Sequence, residues 1–180
     1  MNIILFGFKN AGKTRFGMLV AKRMEMRFLD TDDLIEELYY HNSGQKLKMQ
    51  QIFEKIGPSG FRELESNTVA SLVEVTNSVI AVGGGTILDH VNRPTFESIG
   101  KLVYLHVTKE TLKIRTLSGD LPAYLDARDP VGSFERLYQE RKPIYESIPA
   151  EWVNTEGKSD EQIIDILCTM IETEETSSGE

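Results

Sequence analysis

The sequence predicts an α/β fold, a three-layer α/β/α domain on a five-stranded parallel sheet. Three observations predict it. Five short apolar runs alternate with segments whose apolar residues recur at helical spacing, as strands buried on both faces require. The first run, "NIILF" (2–6), opens directly into the glycine-containing stretch "GFKNAGKT" (7–14). The first three runs deliver Gly7, Asp30 and Gly83 at their carboxyl ends, where open parallel sheets bind ligands.

Taken in order, helical spacing begins after the glycine loop, from Thr14 to Met24, with Phe16, Leu19, Val20 and Ala21 expected inward. "RFLD" (27–30) is a short strand, after which Thr31 or Asp32 is placed to cap a helix reaching about His41. Leu47 to Ile56 reads as helix, with Met49, Ile52, Phe53 and Ile56 on one stripe, and Pro58 begins another helix reaching about Glu74. "SVIAVGGG" (78–85) is a buried strand running into glycines, and "KLVYLHV" (101–107) is the fourth strand. Helical sequence follows from Glu110 to Leu117. Gly119, Pro122, Pro130 and several aspartates then mark 118–131 as a mobile loop. A helix from about Gly132 to Ser147, the strand "EWVNT" and a helix from Glu161 to Ile171 complete the pattern; in the last, Ile163, Ile164, Leu167 and Met170 are expected inward. The expected single domain is 1–172, with the acidic stretch 173–180 disordered.

Composition narrows the function classes. A net charge of -8 argues against a nucleic-acid surface, and no apolar run approaches the roughly 20 residues that span a bilayer. Strand-like sequence begins at once, with no cleavable leader pattern, so the expectation is a cytoplasmic protein. Cys168 is the only cysteine, which excludes an intramolecular disulfide and a cysteine cluster for zinc.

In "GFKNAGKT", Gly7, Gly12, Lys13 and Thr14 stand at the spacing of a phosphate-binding loop. Glycines let backbone N–H groups turn towards one anion, the following helix adds its positive end, and Lys13 reaches the outer phosphates. The Thr14 hydroxyl is placed for Mg²⁺. Asp30 and Asp32 read equally as helix caps or as a metal-shell carboxylate and a general base. Arg62, with Glu65 three residues on, reads first as a helical ion pair; the alternative is a fork for a substrate carboxylate. Three glycines at 83–85 suggest close approach of a small ligand to the backbone. Arg141, taken alone, reads as surface, and His41, His90 and His106 share no metal-ligand spacing.

Together, "GFKNAGKT", "FLDTDDLIE", "IFEKIGPSGFRELE", "VIAVGGGTIL" and "ERKPIYE" resemble the shikimate kinases, small members of the nucleoside monophosphate kinase-like P-loop fold. The resemblance covers roughly the first 155 residues and implies ATP as co-substrate, Mg²⁺ and a monomer acting on shikimate. It implies ATP phosphates on Gly7, Asn10, Ala11, Gly12, Lys13 and Thr14, with Arg115 near the nucleotide. Thr14 and Asp30 would hold the metal, and Asp32 would contact the ring hydroxyls as the base. Arg62 and Arg141 would grip the shikimate carboxylate beside Gly84 and Gly85. Helices at about 31–76 would bind substrate, and about 116–131 would form a lid.

One departure lies in that lid. The family's Arg-Pro-Leu-Leu stretch corresponds here to "SGDLPAYLD", with Leu121 where the arginine is expected. Arg115 or Arg128, at the shoulders of the loop, would then swing in on closure. Competing readings are a P-loop kinase of another small polyol or acid, gluconate kinase-like, or a nucleotide-binding module with weakened catalysis.

Overall fold

The computed structural model describes residues 1–119, 121, 122 and 124–177. Its elements are β1 (Asn2–Phe6), α1 (Lys13–Arg23), β2 (Arg27–Asp30), α2 (Thr31–Ser43), α3 (Met49–Ala70), β3 (Ser78–Ala81) and α4 (Arg93–Ile99). They continue with β4 (Gly100–His106), α5 (Lys109–Leu117), α6 (Pro130–Ser147), β5 (Glu151–Asn154) and α7 (Asp160–Ser177). The five strands form one parallel sheet in the order β2-β3-β1-β4-β5. This is the predicted architecture.

Every residue of β1 and β3 is buried, which accounts for their unbroken apolar runs. Buried Asn2 fixes the amino ends of three strands. Its Nδ2 donates to the carbonyls of Val75 (2.6 Å) and Ile99 (2.9 Å), while its Oδ1 accepts from the Ser78 amide (3.0 Å). Such ties set the register in which Leu5 stands beside Ala81 and Phe6 beside Tyr104.

The helices depart from expectation in instructive ways. Of the caps that the sequence offered for α2, Asp30 is the one that forms, its carboxylate accepting from the Asp32 amide at 3.0 Å. The two helices predicted around Pro58 do meet at a break, Gly57 with φ 70°, but the second ends at Ala70, short of Glu74. Leu19 and Phe53 are exposed, not inward; Phe53 packs edge-on against Phe61, 5.5 Å away across that break. The seven-residue α4 was not expected. It presents a single buried residue, Phe96, too little for a periodic signal. Helix α7 runs to Ser177, so backbone expected to be disordered from 173 is helical there, and 178–180 lie outside the described residues.

Two hydrophobic clusters result. The main one spans the sheet and its covering helices. A smaller one, built on Ile35, Tyr39, Ile52 and Leu64, holds α2 against α3 separately. Among the described residues, no helix is long and apolar enough to cross a membrane.

Replacing Asn2 by leucine leaves two carbonyls and an amide unpaired in the core. The expected loss is roughly 2 to 4 kcal/mol, read as a fall in Tm of at least ~5 °C in calorimetry. An unchanged Tm would show that Asn2 does not bracket the strands.

Candidate active site

The site is assembled where β1, β2 and β3 end. After β1 the chain turns through Gly7 at φ 140°, Asn10 at φ 67° and Gly12 at φ 100°. A Cβ at Gly7 would stand 2.9 Å from the Leu105 carbonyl oxygen, and one at Gly12 would stand 2.7 Å from the Phe16 ring. Only glycine fits either place. Asparagine tolerates the left-handed region better than most residues. The Asn10 Nδ2 also donates to the Thr116 hydroxyl at 3.2 Å, tying the tip of the loop to α5.

Lys13 opens α1 and folds back over its own loop, donating to the carbonyls of Gly7 (3.1 Å) and Phe8 (2.9 Å). Burial lowers its pKa to about 8, an effect opposed by the charges of Asp32 and Asp30. The Thr14 hydroxyl donates to Asp30 Oδ2 at 2.7 Å, so two hard oxygens stand side by side at the end of β2. Among the described residues no group of three or more His, Cys, Asp or Glu could hold a metal by protein ligands alone. A hydroxyl and one carboxylate suit Mg²⁺, which takes most of its shell from water and phosphate.

Asp32 as a residue is exposed, yet the protein packed around its carboxyl group partly desolvates it. That desolvation, and then the charge of Asp30, push its pKa up to about 6, with Lys13 pulling the other way. The three glycines explain how other groups come so near. None has a positive φ, so at Gly83 and Gly84 it is space rather than backbone conformation that disfavours a side chain. A Cβ at Gly83 would lie 2.6 Å from Asp32 Oδ1, and one at Gly84 would lie 3.0 Å from the Tyr145 hydroxyl and 3.8 Å from Arg141 Nη1. At Gly85 the nearest atom would be Arg62 Nη1, at 3.9 Å.

Both helix-borne arginines thus converge on one glycine turn. Arg62 pairs with Glu65 at 2.5 Å, the helical ion pair expected from its spacing. Glu65 is buried and also accepts from the Thr86 hydroxyl at 2.8 Å, so the pair is anchored to the glycine turn rather than loose on the surface. Arg141 is not a surface outlier either: it is half-buried, and its guanidinium lies 5.5 Å from the centre of the Tyr124 ring. The Tyr145 hydroxyl donates to the Gly84 carbonyl at 2.7 Å, and that of Thr31 accepts from the Gly83 amide at 2.8 Å. Thr86 and Tyr145 escaped the sequence reading as site residues, and Thr31 was read only as a helix cap. Tyr145 alone left a signal there, four residues after Arg141 and so on the same helix face.

On the other flank of the loop is a groove of about 410 Å³, bordered by Asn10, Gly12, Arg15, Arg115, Thr155 and Lys158. Arg115 donates to the Asn10 carbonyl at 3.0 Å, whereas Arg128 is exposed on the far shoulder of the lid segment. That segment was expected to be mobile. Within it Pro122 and Leu125 are buried and Leu121 rests against the main core, Tyr124, Asp126, Ala127 and Arg128 are exposed, and Asp129 caps α6. Asp120 and Ala123 lie outside the described residues.

A parallel sheet, a phosphate-binding loop and paired carboxylates define a P-loop kinase of small molecules. The family model described as shikimate kinase matches residues 9–172. A shikimate kinase of Francisella tularensis subsp. novicida is 37% identical over 176 residues, 97% of this chain and 96% of that one. One from Aromatoleum aromaticum is 38% identical over 148 residues, 82% of this chain and 81% of that one. Among solved structures, the shikimate kinase of Acinetobacter baumannii in complex with shikimate superposes with TM-score 0.82 at 28% identity, covering 96% of this chain and 93% of that one. The chain belongs to the shikimate kinase family.

The raised pKa of Asp32 gives a pH signature. With Asp32 as base, kcat/KM should climb about tenfold per unit below pH ~6 and level off above it. Lys13 stabilises the charged carboxylate, so Lys13→Met should move the Asp32 midpoint upward in a carbon-13 carboxyl titration of ligand-free protein. A kcat/KM profile flat from pH ~4.5 to ~8 would remove Asp32 from the reaction.

Proposed function

We propose that this chain transfers the γ-phosphoryl group of ATP to the 3-hydroxyl of shikimate, giving shikimate 3-phosphate and ADP on the route to chorismate. One observation carries the reading: Asp32, Arg141 and Arg62 approach three consecutive glycines, Gly83, Gly84 and Gly85, one after another. A ring bearing a carboxylate and several hydroxyls fits that arrangement. Two guanidinium groups take its carboxylate, bare backbone receives its face, and a carboxylate meets the hydroxyl that attacks.

In this reading the amides from Gly7 to Thr14 cradle the phosphates, and Lys13 leaves its loop carbonyls for the phosphoryl oxygens. That exchange offsets its burial cost and raises its pKa from about 8. The groove beside Arg115 receives the nucleoside. Thr14 and Asp30 would hold Mg²⁺, which supplies charge neutralisation on the phosphates. Asp32 takes the proton of the attacking hydroxyl as the bond to phosphorus forms. Orientation and fixed charge supply most of the catalysis, since phosphoryl transfer asks for little covalent participation from protein. The same reading makes the protein a cytoplasmic monomer.

The test is ADP release with Mg²⁺ and ATP, offering shikimate, gluconate or buffer. Release that depends on shikimate is expected; equal release with gluconate, or none with any acceptor, would overturn the assignment. Arg62→Leu and Arg141→Leu should each raise KM for shikimate about 30-fold or more, the equivalent of ~2 kcal/mol or more in a charge-assisted contact. ATP affinity should stay within about threefold, as expected when uniform binding of one substrate alone is lost.

A further inference from the structure

Phosphoryl transfer spreads negative charge over oxygens in flight, so its rate depends on the cations that face the group and on their directions. Lys13 faces it from α1. Arg115 is committed to the Asn10 carbonyl on the nucleoside side, and Arg128 is exposed at the outer shoulder of the lid segment. Lys9 differs from both. It lies on the phosphate-binding loop itself, is exposed, and forms no ion pair with a carboxylate among the described residues.

Its surroundings lead towards the reacting centre. The Lys9 ammonium lies 6.0 Å from the centre of the Tyr124 ring, and the Arg141 guanidinium lies 5.5 Å from the same ring. Lys9 and Tyr124 also border the small cavity beneath the lid segment. One lid side chain therefore touches a cation of the loop and a cation of the acceptor side. The charge of Lys9 also reaches both Lys13 and Asp32, favouring the ionised carboxylate of the latter.

We propose that Lys9 is a catalytic residue whose ammonium contacts the transferring phosphoryl group from the lid side, with the Tyr124 ring holding it over the cleft. The inference rests on the reading of Lys13 and Asp32 given above. The bond from the acceptor oxygen to the γ-phosphorus forms, the bond from that phosphorus to ADP breaks, and the hydroxyl proton passes to Asp32. Lys9 exchanges no proton; it supplies a point charge on a flexible stem. A cation–π hold on an exposed lysine is weak enough for phosphate oxygens to displace it.

Lys9→Met is expected to lower kcat about 10- to 100-fold, less than the ~10²- to 10³-fold lost with a rigidly preorganised donor because the lysine stem is flexible. KM for shikimate should stay within about threefold, and Lys9→Arg should recover kcat to within about threefold of wild type, because the interaction is charge in the transition state. Affinity for ADP, which lacks the transferred group, should not change, nor should Tm. A Lys9→Met kcat within about twofold of wild type would overturn the proposal, as would a kcat loss matched by equal losses in ADP affinity and Tm. Lys13→Met run alongside separates the two failures. If it too retains full turnover, the reading of the phosphate loop falls and takes this proposal with it. If it is inactive while Lys9→Met is not, only the role of Lys9 falls.

Discussion

Everything in the cleft depends on three residues that carry no side chain. At the end of β3 a carboxylate, two guanidinium groups and a tyrosine hydroxyl press towards the backbone of Gly83, Gly84 and Gly85. A single methyl at Gly83 would collide with Asp32, the group given the proton-accepting role. The turn is itself pinned from outside by Thr31, Thr86 and Tyr145. Tyr145 is wholly buried against Phe6, Phe8 and Tyr104, so the aromatic core under the sheet's end fixes the floor on which an acceptor would lie.

The same crowding sets the electrostatics. Burial pushes Lys13 and Asp32 towards neutrality from opposite ends of the pH scale, and the charge of each opposes that shift in the other. With Asp30 beside Thr14, the loop keeps its charges in a short chain of mutual compensation. Polyanionic phosphate would replace internal carbonyls as the partner of Lys13, and the carboxylates would then be left to metal and acceptor.

How much of this could be read from the chain varies with distance along it. The central strands were legible because β1, β3 and β4 are largely apolar runs, and the loop because Gly7, Gly12 and Lys13 stand within seven residues. Asp30, Asp32, Arg62 and Arg141 could be named because their neighbours resemble a known pattern; spacing alone left the arginines as surface residues. What stayed hidden was contact between distant positions. Tyr145 and Gly84 are 61 residues apart, and Thr86 and Glu65 are 21 apart, so no local period records either bond. Phe53 was misplaced because periodicity does not tell how wide a stripe the neighbouring helix covers: Ile52 is buried, while Phe53 is exposed and meets Phe61 across the break at Gly57. In the segment read as a loop from its glycine and prolines, the buried Leu125 is an apolar contact that composition does not reveal.

The separate small core of α2 and α3 has a mechanical meaning. Asp32 stands at the start of that pair and Arg62 beyond the break within it, while Lys13 and Arg141 belong to elements of the main core. The hold on an acceptor is therefore shared between two cores: Asp32 and Arg62 come from the small one, Arg141 and the glycine turn from the main one, and the hydrogen bonds of Thr31 with Gly83 and of Glu65 with Thr86 join them.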